Sequence, residues 1–227
     1  MKKIIIAIIS CARDINNGFN EAIRDTWLKS ASVNYKFVLG RGVNNTKQDE
    51  LILDCNDDYN SLPEKTLALI KWAISMEYDY VFKCDTDTYI VLDRLLSSNF
   101  FLFDYVGRFN GPIGIANVIY RSCYSWASGG SGYWLSNRAA RFILEQVIDE
   151  KSICPILKIP CEDLWIGQVL GSKIKDGFFT AFDDSRYGIS YNADYKTEIS
   201  SHYCSQGKKR KFNTNWMYEH HKINQKK

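Results

Sequence analysis

The chain has 227 residues, 45% of them hydrophobic and 14% aromatic, and carries a formal net charge of +3. That length suits one sizeable core, so a single domain over residues 1–227 is expected, with no low-complexity stretch dividing it. So small a charge argues against a nucleic-acid partner, and Lys208, Lys209, Arg210 and Lys211 read as a local solvated face.

The elements alternate along the chain. Met1-Lys2-Lys3 before Ile4 to Ile9 has the outline of a short signal peptide, but the apolar run is short and no small-x-small cleavage site follows. An Ile-rich run is also what a strand buried on both faces looks like, so Ile4 to Ser10 is predicted as the first strand. No stretch approaches transmembrane length, and the chain is expected to be soluble and cytoplasmic. Glu21 to Lys29 reads as a helix and Tyr35 to Leu39 as a second strand closed by Gly40, while the Asn44-Asn45-Thr46 sequon reads as chance. Ser61-Leu62-Pro63-Glu64 has capping-box spacing with proline in the first turn, and Leu67, Ile70 and Ile74 then form one apolar stripe. This helix leads into a strand at Tyr80 to Phe82. A further helix begins near Ser136, with Ala140, Ile143, Leu144 and Val147 inward, and another runs from about Asp163 to a stop at Gly171. Such alternation predicts an α/β fold with a mainly parallel sheet between helices and ligands at the carboxyl ends of its strands. The seven cysteines, Cys11, Cys55, Cys84, Cys123, Cys154, Cys161 and Cys204, have no regular spacing, which gives no disulfide framework and fits a reducing compartment.

The segment Lys83-Cys84-Asp85-Thr86-Asp87 carries the chemistry. In extended chain Asp85 and Asp87 point the same way, with Lys83 on their side, so two carboxylates converge just past an apolar strand. Hard cations such as Mg²⁺ and Mn²⁺ take few carboxylates plus substrate phosphates, which suits a nucleotide diphosphate; a solvated acidic loop is the plain alternative. Gly129-Gly130-Ser131-Gly132 would let a sugar approach the main chain, and Trp126 and Trp134 are either stacking rings or core.

Several stretches in order carry a family likeness: Ala22-Ile23-Arg24-Asp25-Thr26-Trp27, Asp57-Asp58-Tyr59-Asn60-Ser61-Leu62 with Lys65-Thr66, the Asp-x-Asp segment, Ala127 to Ser136, and Cys161-Glu162-Asp163-Leu164-Trp165-Ile166-Gly167. From Ile4 to about Gly171 the chain resembles the β-1,3-glycosyltransferases, the galactosyltransferase and Fringe-like group. The resemblance implies a glycosyltransferase-A type, Rossmann-like α/β fold, with a nucleotide-sugar half over about residues 1–110 and an acceptor half over about 111–227. It implies an inverting enzyme that uses Mn²⁺ or Mg²⁺ and moves galactose, N-acetylglucosamine or xylose from a UDP-sugar to a glycan hydroxyl through a β-1,3-type linkage. By the same resemblance Asp87 is the direct metal ligand, Asp85 binds directly or through water, and His202 completes the site ahead of His220 and His221. Asp163 is the base, with Glu162 its adjacent rival, although acids at a helix start also serve as caps. Lys83, Arg24, Asp58 and Lys65 are implied near the nucleotide, and Gly129 and Gly130 at the donor–acceptor junction.

The familiar Golgi members carry an anchor and stem not seen here, which points to a cytosolic enzyme of microbial or viral kind. Thr86 and Trp165 depart from the family pattern and leave the donor sugar open. Two other classes stand beside this reading: a silent carbohydrate-binding protein on the same fold, and a nucleotidyltransferase. The second would carry a glycine-rich phosphate loop early in the chain, and Ser10-Cys11-Ala12-Arg13 is not one.

Overall fold

A computed structural model describes residues 2–43, 47–110, 125–147, 161–188, 196–202 and 213–225. The sequon at 44–46, the basic run at 208–211, Cys123, Cys154, Cys204 and the side chain of Val147 lie outside the described residues.

The strands are β1 (Ile4–Ile9), β2 (Asn34–Leu39), β3 (Glu50–Ile52), β4 (Tyr80–Asp85), β5 (Thr88–Ile90), β6 (Tyr105–Gly107), β7 (Phe109–Asn110), β8 (Trp126–Ala127), β9 (Tyr133–Ser136), β10 (Ala181–Asp183), β11 (Tyr187–Gly188) and β12 (Ser200–His202). The helices are α1 (Ala12–Asn16), α2 (Phe19–Asp25), α3 (Leu62–Ser75), α4 (Leu92–Leu96), α5 (Asn137–Val147), α6 (Glu162–Lys175) and α7 (Asn215–Gln225).

Seven strands form the main sheet in the order β10-β6-β9-β4-β1-β2-β3. All neighbours pair in parallel except β9, which runs antiparallel to both β4 and β6. The mainly parallel α/β sheet expected from the alternation is therefore present. β1 lies inside the sheet between β4 and β2, and its Ile-rich run feeds both faces. Ile6 and Ile8 enter one core cluster with Phe82, Trp134 and Trp216, and Ile5, Ala7 and Ile9 enter another with Leu69 and Ala73. Each such buried aliphatic side chain contributes about 1.5–3 kcal/mol. On α3, Ile70 is buried with Leu67 and Ile74 packed beside it, as the stripe predicts, and a second stripe, Leu69 and Ala73, packs on the other side.

Three local expectations are corrected. The predicted Glu21 to Lys29 helix ends at Asp25, where Leu28 N donates to Ile23 O at 3.1 Å; this wide turn lets Trp27 and Leu28 both enter the core. The capping box at Ser61 does not form, because a 3₁₀ turn at Tyr59–Ser61 precedes α3 and the Ser61 hydroxyl donates to Asp58 Oδ1 at 3.0 Å. Helix α6 passes through Gly171 to Lys175, and the left-handed residue that ends it is Gly177, with φ of 74°. Near Ser136, where a helix is expected to begin, the serine caps it, since its hydroxyl oxygen accepts from Ala139 N at 3.1 Å.

Two pairings between strands bring distant segments to one rim. The β1–β4 register pairs Ile9 with Asp85, so the loop after β1 and the Asp-x-Asp turn lie side by side. A small sheet, β11-β12-β5, pairs β12 antiparallel to β5 with His202 opposite Thr88. Among the described residues no helix is long and apolar enough to cross a membrane.

Candidate active site

Strand β4 ends at Asp85, a turn carries Thr86 and Asp87, and β5 starts at Thr88. The turn and the β5–β12 pairing bring three ligand-type groups together: Asp85, Asp87 and His202 each offer one atom within 4.8 Å of the others. His202 Nε2 lies 3.2 Å from Asp87 Oδ1. Burial lowers the proton affinity of this imidazole, but the Asp87 and Asp85 carboxylates outweigh it and hold its pKa above the ordinary value. Its Nδ1 is buried without a hydrogen-bond partner among the described residues. Gly130 makes room for the ring, since a Cβ there would stand 2.2 Å from His202 Cε1. Thr88 fixes that loop by donating its hydroxyl to Gly130 O at 2.6 Å.

The pleat puts Lys83 on the same side as Asp85, as the sequence indicates. Lys83 is nevertheless buried, not turned toward a ligand cavity: its Nζ donates to Glu162 Oε1 at 2.6 Å, Asp85 Oδ1 at 2.9 Å and Gly129 O at 3.2 Å. Burial opposes its charge, yet Asp85 and Glu162 raise its pKa well above the usual lysine value. Burial pushes the Glu162 carboxyl up, to about 7, against the pull of Lys83. Beside it, Asp163 is half-buried; its Oδ2 accepts from Gly129 N at 3.0 Å and its Oδ1 from Leu164 N at 2.8 Å. Gly129 is the spacer, because a Cβ there would lie 2.4 Å from Glu162 Oε1 and 3.3 Å from Asp163 Cβ.

From this cluster a cavity of about 610 Å³ runs between the ends of β1 and β4 and the approach to α3, lined among others by Ser10, Cys11, Asp58, Tyr59, Asp85 and Thr86. Lys65 lines it too but is wholly buried, with Nζ donating to Ser10 O at 2.9 Å and to Asp57 Oδ1 at 2.7 Å. Asp57 also accepts from Gly40 N and Ala12 N, both at 2.7 Å, so these two side chains brace the cavity wall. Asp58 accepts from Ser61 N at 2.9 Å. Arg24 is not brought to this cavity: its guanidinium spans Glu21, Asp49 and Glu50 and ties α2 to β3. Trp134 is core, stacked on Phe100 at 3.8 Å, and Trp126 packs where Gly167 lets α6 approach. His220 pairs with Glu198 and His221 with the Tyr89 hydroxyl, both apart from the Asp85 cluster.

Sequence reasoning passed over Asp57, which only its place in an acid-rich turn hinted at, and Asp14, whose Oδ2 accepts from the Thr86 hydroxyl at 2.6 Å. Nothing local marks Asp14, since its partner is 72 residues away.

Residues 20–100, the stretch from α2 through the Asp-x-Asp turn to α4, match the family described as Galactosyltransferase. A probable β-1,3-galactosyltransferase 12 of Arabidopsis thaliana is 32% identical over 109 residues, covering 36% of this chain and 29% of that protein. Over these residues the chain is similar to the galactosyltransferase family. Its match therefore spans under a third of that relative's length, and the family match includes Asp85 and Asp87 but neither Asp163 nor His202. Among solved structures, the galactosyltransferase LgtC bound to donor and acceptor sugar analogs superposes with a TM-score of 0.56 at 12% identity, covering 96% of this chain and 95% of that one. A glycosyltransferase involved in glycosylation of the major capsid of PBCV-1 gives 0.52 at 12% identity, covering 97% and 98%. GlyE of Streptococcus pneumoniae gives 0.54 at 11% identity, covering 97% of this chain and 60% of that one. At such identities the likeness is one of fold, and that fold is the glycosyltransferase-A type.

Proposed function

We propose that this chain is a metal-dependent, inverting glycosyltransferase that moves galactose, N-acetylglucosamine or xylose from a UDP-sugar to a glycan hydroxyl, forming a β-1,3-type linkage. The observation that carries the reading is the junction itself: Asp85 lines the 610 Å³ cavity and converges there with Asp87 and His202, with the Glu162–Asp163 helix start one glycine away. Two carboxylates and an imidazole fit Mn²⁺, and Mg²⁺ less closely. The buried Nδ1 of His202 and the space kept by Gly130 favour a ring placed for ligation over a surface histidine. Bound to Asp85, Asp87 and His202, the metal supplies Lewis-acid charge for the departing diphosphate, so no acidic side chain is needed there.

The chain's own residues do the rest. The cavity between the β1 loop and Asp58-Tyr59 takes the nucleotide. Asp163 accepts the proton of the acceptor hydroxyl, which attacks the anomeric carbon on the face opposite the leaving UDP and inverts it. Of the two neighbouring acids Asp163 is the better base, because it is half-buried while Glu162 is buried against Lys83. Gly129 N–H and Leu164 N–H hold the Asp163 carboxylate in place. Lys83, pinned by Glu162, fixes Asp85 from behind.

The test is UDP release from a panel of UDP-sugars with and without Mn²⁺, comparing wild type with Asp87→Asn. Metal-dependent release from one donor, abolished in the variant, is expected and names the sugar. UDP binding without release from any donor, whatever acceptor is supplied, supports instead a silent carbohydrate-binding protein.

A further inference from the structure

The residue between the two metal-site carboxylates, Thr86, is wholly buried, as is the side chain that receives its hydroxyl, Asp14, at 4% exposure. The 2.6 Å Thr86 Oγ1 to Asp14 Oδ2 bond is short, as expected for a hydroxyl donating to a carboxylate. The other Asp14 oxygen faces Arg13 Nε at 3.3 Å, and Asp14 lies outside the three-residue cluster of potential ligands. Both Asp14 and Thr86 line the cavity assigned to the nucleotide. Asp14 sits on α1, whose first residue is held by Asp57 through Ala12 N and whose preceding loop is held by Lys65 through Ser10 O.

With Asp85, Asp87 and His202 taken as the metal ligands of the proposed transferase, we infer that Asp14 is a positioning residue that sets the Asp-x-Asp turn through Thr86 and thereby couples metal binding to nucleotide binding. The turn holds two like charges one residue apart, and the hydroxyl between them ties its backbone to α1. Because the anchor belongs to the nucleotide-cavity loop, a nucleotide that orders this loop also orders the metal turn, and by linkage the metal favours the nucleotide by the same factor. Residues that orient ligands from behind typically change metal affinity 10–100-fold when altered.

The experiment measures Mn²⁺ binding by the electron paramagnetic resonance of free Mn²⁺, and UDP binding by calorimetry with and without Mn²⁺, on the whole chain. Thr86→Val keeps the shape and removes the donor. It is expected to weaken Mn²⁺ at least about tenfold and to shrink the Mn²⁺-dependent gain in UDP affinity. Thr86→Ser restores the hydroxyl and should restore both, and Asp14→Asn, whose amide oxygen still accepts but without charge, should fall between and serves if Thr86→Val does not fold. Wild-type Mn²⁺ affinity in Thr86→Val or Asp14→Asn, even with a lower Tm, makes the contact merely structural and overturns the inference alone. Wild-type Mn²⁺ affinity in Asp87→Asn overturns the metal assignment and this inference with it.

Discussion

Lys83→Met is the sharpest probe of how the site is held. The substitution keeps the stem and deletes a charge whose Nζ donates to three oxygens, two of them on Glu162 and Asp85. Both members of the Lys83–Glu162 pair are nearly inaccessible, at 3% and 6% side-chain exposure. Removing one partner of a buried pair costs about 3–5 kcal/mol, because the other charge is left without compensation. Here the carboxylate has an escape, since burial already lifts Glu162 to about 7 and loss of Lys83 lifts it further, so Glu162 takes up a proton and the cost falls to the lower end, about 3 kcal/mol. For a chain of this size that is a drop in Tm of about 6–12 °C. The double variant Lys83→Met with Glu162→Gln carries no stranded charge and should recover at least half of the loss. The pH dependence has a definite sign: a carboxyl raised in the folded state binds its proton more tightly there than when unfolded. Lys83→Met should therefore be most stable below about pH 4 to 5 and lose stability as pH rises through the raised folded value. Thermal melts from pH 5 to 8 on the four members of the cycle measure all of this. A single variant within about 2 °C of wild type, or a double variant no better than the sum of the singles, refutes the reasoning.

Asp163→Asn should keep UDP affinity and lower transfer by about 10²–10⁴-fold, since removing a base acts on the transition state; measured UDP affinity and turnover separate the two. Asp104 accepts from Arg138, Ser136 and Thr180 where β6, α5 and β10 meet, and although burial opposes it, the Arg138 guanidinium leads the bonds that hold its carboxyl below the usual range. A depressed acid stabilises above its unfolded pKa and loses that contribution as pH falls through the folded one. Acid titrations should thus show Asp104→Asn about 1–3 kcal/mol less stable than wild type at pH 7, with the gap closing below about pH 4.

The frame was legible where one local rule decides. The run Ile4 to Ile9 fits a strand covered on both faces, and the Leu67-Ile70-Ile74 stripe fits a helix. The pleat predicts that Asp85 and Asp87 converge, but the chain turns at Thr86, so Asp87 reaches the site across the turn and not along the strand. What could not be read is where long-range pairing decides. Lys83 reads as a cation facing a nucleotide until α6, 79 residues on, delivers Glu162 to it. Lys65 reads as a helix-surface lysine, yet it spans to Ser10 O across 55 residues. His202 had no spacing signal at all, because its place depends on β12 lying antiparallel to β5 in one register; a slip by one residue would turn it to the other face.

The two glycines at 129 and 130 divide the labour of the site in a way that can be read out separately. Successive residues of the loop face different neighbours: the nearest atoms to a Cβ at 129 belong to Glu162, Lys83 and Asp163, whereas the three nearest to a Cβ at 130 all belong to the His202 ring. Gly130→Ala must displace the imidazole from its present place, which should weaken Mn²⁺ about 10–100-fold while Asp163 keeps its Gly129 N–H bond. Gly129→Ala must instead part Glu162 from Lys83 and shift the start of α6, which should lower turnover at saturating Mn²⁺ by about tenfold or more with metal affinity little changed. Mn²⁺ isotherms and turnover at saturating metal, taken on both variants, give two numbers each. Opposite patterns assign metal placement to one glycine and base placement to the other. Parallel losses in both variants mean that the loop moves as one body and that the division of roles drawn from its contacts is wrong.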